Sequence, residues 1–222
     1  VKLPFFNRER YVVLSAYTPV EYLVDHAPVC LSSKAIPEFN RTGKYDRSFK
    51  TCHGYIASLK RSATILAPCD FEVTATSEYF EYRWPEQHHM SVQEHKDPQY
   101  QSHTVHVTQL GLPFALRCNK KDVNFVESRH VLNDTHMIVP SGVAPFPYGV
   151  KYNPFNYIPK ADVSYTVPFR KPIVALYPLS DLPFHVECHF DPDKYHQYRE
   201  SCTNQSKFKG YSYALSKTKG LD

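Results

Sequence analysis

The chain has 222 residues and a formal net charge of +4, and it holds 17 tyrosines, 14 phenylalanines and 18 prolines against seven glycines. A domain of this size buries roughly 70% of its unfolded surface, so a core forms without disulfide or metal staples. Scarce glycine leaves little material for backbone phosphate cradles, and no apolar run nears the roughly 18 residues that a membrane helix needs.

Residues 11–17 (Tyr-Val-Val-Leu-Ser-Ala-Tyr) are too continuously apolar for a solvated edge, which predicts a strand inside a sheet, and Pro19 ends it. A polar connector leads from Lys34 to Asp46. There Phe49, Cys52, Ile56 and Leu59 recur at helical spacing behind Asp46 or Ser48 as cap, so a helix is expected over 46–61. Gly54 within it costs about 1 kcal/mol relative to alanine.

Beyond residue 65, Phe71, Val73 and Ala75 alternate with Asp70, Glu72 and Thr74, the pattern of a half-buried strand. The aromatic run 79–84 returns as its hairpin partner through a turn near Ser77-Glu78. Residues 85–104 are polar and histidine-rich and read as a long surface excursion of the kind that tends to carry function or meet a partner. Short extended pieces follow at 114–118, 123–126, 136–139, 163–167, 173–177 and 184–190, with a basic, proline-bracketed turn joining 163–167 to 173–177. Regular short strands between proline and asparagine clusters predict a mainly β fold, a single β-sandwich or β-clip-like domain over residues 1–193 with a short N-terminal helical segment.

Residues 194–222 read as a tail. Lys194, Arg199, Lys207, Lys209, Lys217 and Lys219 stand against Glu200 and Asp222 and interleave with Tyr195, Tyr198, Phe208, Tyr211 and Tyr213. Cations between aromatic rings can neutralise and stack on single-stranded nucleic acid. The plainer reading is a tail docked on an acidic neighbour, since no nucleic-acid module accompanies the charge.

The strongest candidate for metal chemistry is residues 184–190, where alternation turns Phe184, Val186, Cys188 and Phe190 inward and sets His185, Glu187 and His189 on the opposite face. Two imidazoles and a carboxylate so placed can face one divalent ion, and the alternative is an ordinary polar face. His88, His89, His95, His103 and His106 form a second group in the polar excursion, of which His103 and His106 could share a metal. The triplet His189-Phe190-Asp191 resembles the start of a facial triad, but His196 follows too closely to be its distal ligand. No G-x-S-x-G elbow, Walker loop or dinucleotide glycine pattern is present.

Cys30, Cys52, Cys69, Cys118, Cys188 and Cys202 are spread singly with no C-x-x-C pair, which points to reduced thiols rather than zinc or redox work. Asn40, Asn133 and Asn204 stand in formal glycosylation triplets, yet no secretory h-region precedes Val1, and a soluble, intracellularly made chain is expected.

Three stretches together resemble an uncharacterised family of T4-like tailed phages, especially marine ones, and of some bacteria. They are Ala35-Ile36-Pro37-Glu38-Phe39 with Phe49-Lys50-Thr51-Cys52-His53-Gly54-Tyr55 and Ile65-Leu66-Ala67-Pro68-Cys69-Asp70; the polar loop ending before Pro113-Phe114; and Ile158-Pro159-Lys160 with Pro172-Ile173-Val174-Ala175-Leu176-Tyr177-Pro178-Leu179. The resemblance spans about residues 30–190. The late segment is also distantly similar to the β-clip of trimeric dUTPases, with Ser141-Gly142-Val143 and Pro172-Ile173-Val174-Ala175 in the places of its turn and strand. The serine-arginine phosphate motif is missing, and Ala144-Pro145 stand where an aspartate is expected, so the resemblance implies a trimeric scaffold without nucleotide hydrolysis.

These readings lead to an expected function: a virion structural or accessory protein of a tailed phage, decoration-like on capsid or tail, docking on other virion proteins and self-associating as a trimer. It needs no cofactor and no membrane. The alternatives are a phage-encoded metal-binding enzyme acting in the host, with one divalent metal at His185, Glu187 and His189, and a single-stranded nucleic-acid binder working through the basic tail.

Overall fold

Residues 10–35, 53–85, 90–94, 104–130, 136–147 and 149–207 are described in the structure, a computed structural model. In chain order the elements are β1 (Val12–Thr18), α1 (Tyr22–His26), β2 (Val29–Leu31), α2 (Ser32–Ala35), α3 (His53–Lys60), β3 (Ala63–Leu66), β4 (Phe71–Ala75) and β5 (Phe80–Arg83). Next come β6 (Ser91–Glu94), β7 (Val105–Gly111), β8 (Ala115–Cys118), β9 (Asn124–Arg129), β10 (Gly142–Pro145), β11 (Val150–Lys151) and β12 (Phe155–Pro159). The last are β13 (Val163–Val167), β14 (Pro172–Pro178), β15 (Phe184–Phe190) and α4 (Pro192–Lys207).

The chain is mainly β, as its sequence predicts. Its strands form four sheets, ordered β11-β8-β1-β15, β10-β9-β14-β3-β2, β12-β7-β6 and β13-β4-β5. β1 runs parallel to β15, from Val12 opposite Phe184 to Thr18 opposite Phe190, while the remaining ladders are antiparallel. Side chains lock β1 to β8 at both ends. Asn119 accepts the Val13 N–H at 2.7 Å and donates to the Tyr11 carbonyl at 3.1 Å, and at the far end the buried Thr18 hydroxyl donates to the Pro113 carbonyl at 2.8 Å.

One hydrophobic cluster joins all four sheets, with Leu14, Phe125, Phe71 and Leu110 each fully buried in it. Part of it is aromatic: Phe125 meets Phe146 at 5.4 Å and Phe184 at 5.9 Å between ring centroids, and Phe114 stacks on Tyr152 at 6.2 Å. A register shift between Pro172 and Val174 in β14 lets neighbours Ile173 and Val174 both enter this core, which explains a strand that is apolar on consecutive positions.

The five-stranded sheet is covered unevenly. Around β3 its outer face lies under the short helices: Ser32 of α2 accepts the Ser62 hydroxyl at 2.8 Å and the Thr64 hydroxyl at 2.7 Å, all three being buried. This double cover explains why every residue of β3 is buried.

The expected strand at 11–17, the expected hairpin and the buried face of Phe71, Val73 and Ala75 are all present. The expected helix at 46–61 is described as α3 from His53 onward, and residues 46–52 lie outside the described residues. The strands at 163–167 and 172–178 do not pair with each other. β13 pairs with β4 and β14 with β3 and β9, so the basic turn carries the chain between sheets. Arg170 in that turn has φ of +64°, a left-handed conformation costing about 1 kcal/mol outside glycine. The turn is held by the Arg170 N–H on the Ala67 carbonyl at 2.9 Å, the Phe169 N–H on Asp70 at 2.6 Å and the Arg170 guanidinium on the His26 carbonyl.

The tail assignment is corrected over its first part. Residues 194–207 belong to helix α4, whose Tyr195 and Tyr198 are buried against Ala115, with Tyr17 packed beside them. Asp191 starts the helix by accepting the Lys194 N–H at 2.9 Å, and Pro192 follows at the first helical position. Residues 208–222 lie outside the described residues.

Candidate functional site

Strand register brings the three predicted metal donors onto one face of the four-stranded sheet, with His185 opposite Val13, Glu187 opposite Ser15 and His189 opposite Tyr17. The face is real, but the side chains diverge in what they touch. His189 Nε2 lies 3.1 Å from Glu187 Oε2 and its ring stacks on Tyr17 at 5.3 Å. The ring of His185 packs edge-on against Tyr11 at 4.7 Å. Among the described residues no group of three or more His, Cys, Asp or Glu side chains converges as a metal-binding set.

The same face is the bed of α4. Tyr17 meets the Tyr198 ring at 5.6 Å and lies 5.0 Å beneath the Lys194 ammonium, which pairs with Asp191 at 2.9 Å. Arg117, from the neighbouring β8, donates to the Tyr198 hydroxyl at 2.8 Å. His189 thus takes part in the seam that fastens the C-terminal helix. The inward set is corrected at its end: Phe184 is buried, and Val186 and Cys188 pack on the core, but Phe190 is 49% exposed.

His106 also departs from expectation. It is a buried residue of β7 rather than part of a surface loop, bonded through Nε2 to the Thr76 carbonyl at 2.8 Å and packed on Phe80. His88, His89, His95 and His103 lie outside the described residues. The thiols of Cys30, Cys69, Cys118 and Cys188 are free, and burial pushes each one up, to about 11 for Cys30 and about 12 for Cys69 and Cys188. They are thiols at neutral pH and weak nucleophiles.

Two features escaped the sequence. The first is on the inner face of β9, where Glu127 is half-buried. Glu127 sits in mid-β9, on the same face as the core residue Phe125, opposite Gly142 of β10 and Leu176 of β14. The phenol of Tyr152, 3% exposed, lies close enough to couple electrically with it, although its hydroxyl oxygen does not reach hydrogen-bonding geometry. Burial pushes Glu127 up to about 7, against the smaller opposing influence of Tyr152. Just past β9, burial pushes His130 down to about 4. At neutral pH His130 is therefore a neutral imidazole, and Glu127 holds its proton well above the usual carboxylate range. Glu127 occupies an alternating position, but the polar residues flanking it hide which face is buried.

The second feature is outside. On the opposite face of β9, Val126 pairs with Val143 of β10 and Tyr177 of β14, and none of the three packs on the core. Leu179 continues the row where its N–H bonds to the Asn124 carbonyl at 2.8 Å. Val143 is 65% exposed and Leu179 56%. The result is an apolar strip across three strands at the β10 edge of the five-stranded sheet, which no other described strand pairs, away from the helix-covered half.

Compared with protein-family models, with curated proteins and with solved structures, the chain matches none.

Proposed function

We propose that this chain works by protein–protein docking, as an accessory component of a tailed-phage virion, assembled in the host cytoplasm and seated on capsid or tail neighbours. The observation that carries docking is the strip Val143–Val126–Tyr177–Leu179. A row of aliphatic and aromatic side chains spanning three adjacent strands differs from scattered exposed apolar residues, which need no explanation. Its residues stand on paired strands, and a tyrosine within the row suits an interface anchor. The setting in a virion rests on the motif resemblance alone, and a trimeric arrangement on its β-clip part.

Two experiments test the two halves separately. Mass spectrometry of purified particles should contain this chain at fixed stoichiometry, and its absence would remove the virion setting. Val143→Asp with Leu179→Asp should abolish association with the neighbour, or with other copies in sedimentation, and leave stability within about 0.5 kcal/mol of the parent. Unchanged association would remove the strip from the reading.

A further inference from the structure

We infer that β10 pairs edge to edge with β10 of a second copy of this chain, about a two-fold axis at Val143, a contact that rests on the docking reading in taking Val143 as interfacial. Backbone alternation decides which groups are open. The Leu179 N–H reaches the Asn124 carbonyl at 2.8 Å and the His130 N–H reaches the Ile173 carbonyl at 3.1 Å, so the even-numbered residues in and just past β9 bond towards β14. The odd-numbered Phe125 and Glu127 therefore bond to Ala144 and Gly142 of β10. Val143 lies opposite Val126 between those two pairs, and its own N–H and C=O point away from the sheet. Pro145 and Pro178, which lack an N–H, stand opposite Asn124 and Phe125, the positions where this alternation asks for none.

The open groups of Val143 complement their own copies. In an antiparallel pairing centred on this residue, the N–H of each Val143 donates to the carbonyl of the other, and Gly142 of one copy falls opposite Ala144 of the other. No like charges meet, because Gly142-Val143-Ala144-Pro145 carries none, and the strand lacks the lysine or inward charge by which many sheet edges refuse their own copies. Pro145 has no N–H for a partner, which confines the pairing to the centre of the strand and closes it at two copies. Among the described residues no strand occupies this side of β10, and a side chain added at Gly142 would meet nothing within 4 Å. The two-fold also joins the outer faces: Tyr177, Val126 and Val143 of one copy run on into Val143, Val126 and Tyr177 of the other, one apolar row across both sheets. A second copy supplies both the matching row and the matching open groups, which sets it ahead of an unrelated strand. The contact is separate from any three-fold scaffold.

Residue-resolved hydrogen exchange on the full chain reads the contact at one amide. The Val143 N–H has no ladder partner in a single copy and gains one in the pair, whereas the Ala144 N–H is bonded to β9 in both. Short contacts of this kind are weak, so protection of Val143 should appear between about 10 µM and about 1 mM chain and rise roughly 3-fold for each tenfold increase in concentration once pairs predominate, with Ala144 level. Val143→Pro keeps an apolar side chain and removes only an N–H that β9 does not use, and it should abolish self-association in sedimentation. Should that variant fail to fold, Val143→Lys, a charge at a residue already 65% exposed, should do the same. A Val143 amide that exchanges at the unstructured rate at every concentration, or self-association unchanged in these variants, overturns the inference. Protection of Val143 that persists in Leu179→Asp supports the edge contact even where docking on a neighbour fails, while docking with Val143 unprotected overturns the contact and leaves the docking reading standing.

Discussion

Glu127 and His130 should give the parent a nearly level stability profile in mildly acid solution, and replacing either should tilt it in opposite directions. Burial raises Glu127 from 4.5 to about 7, so the folded chain keeps a proton that the unfolded chain releases. Its contribution is full below pH 4.5 and is lost as pH rises through 7. Burial lowers His130 from 6.5 to about 4, so the folded chain refuses a proton that the unfolded chain binds. That contribution is full above pH 6.5 and is lost as pH falls through 4. The two displacements are of similar size, about 2.5 pH units each, and at about 1.4 kcal/mol per unit each is worth about 3 kcal/mol. Between pH 4.5 and 6.5 the slopes cancel. In Glu127→Gln the histidine acts alone, and stability relative to the parent should tilt upward with pH by about 3 kcal/mol. In His130→Asn the carboxyl acts alone and the tilt should be downward by a similar amount. Urea denaturation at half-unit steps from pH 4 to pH 8, with the m-value watched for changes in the unfolded state, measures both. Variant profiles parallel to the parent, or tilted the same way as each other, would refute the reasoning.

Three further outcomes are expected. Tyr195→Ala, removing a ring that is 1% exposed beneath α4, should destabilise by about 2–4 kcal/mol, while His196→Ala on the exposed side of the same helix should change little; equal effects in chemical denaturation would mean that α4 is not part of the cooperative fold. Ser32→Ala leaves the buried hydroxyls of Ser62 and Thr64 without their shared acceptor, and should cost about 1–3 kcal/mol in the same assay, against a near-neutral result if water enters. Cys30, Cys69, Cys118 and Cys188 should react slowly with a thiol reagent at pH 8 in the native chain and fast in urea, read by mass spectrometry of labelled peptides.

Strands were legible where one residue type decided the matter. The apolar run at 11–17 pointed to the interior, and Phe71, Val73 and Ala75 announced their face by alternation. Pairing was not legible, because the turn at 168–171 looks like a hairpin connection but Arg170 turns the chain into a different sheet. The C-terminal helix was hidden by its charge, although Asp191-Pro192 was a usable start signal and Tyr195 and Tyr198 recur at helical spacing. For the candidate site, sequence placed His185, Glu187 and His189 on one face, as register bears out, but the face is shared with Tyr17 of β1 and with α4, which no local pattern could supply. The outer strip depends on register between β10, β9 and β14, three strands distant in sequence, and became visible only in the sheet.

The aromatic excess serves the interior more than the surface. An abundance of tyrosine and phenylalanine invites a surface interpretation, yet Phe71, Tyr82, Phe114, Phe125, Phe146, Tyr152, Phe184, Tyr195 and Tyr198 are all buried. Rings spend their area on joining small sheets that have few strands each and little room for a conventional two-layer core. Composition alone is therefore no argument for docking. Val143 and Leu179 are instead the exposed ends of a row that runs through Val126 and Tyr177 on the outer face of the sheet. The proposed docking therefore rests on that apolar row, and an acidic or basic substitution within it tests the proposal without disturbing the interior.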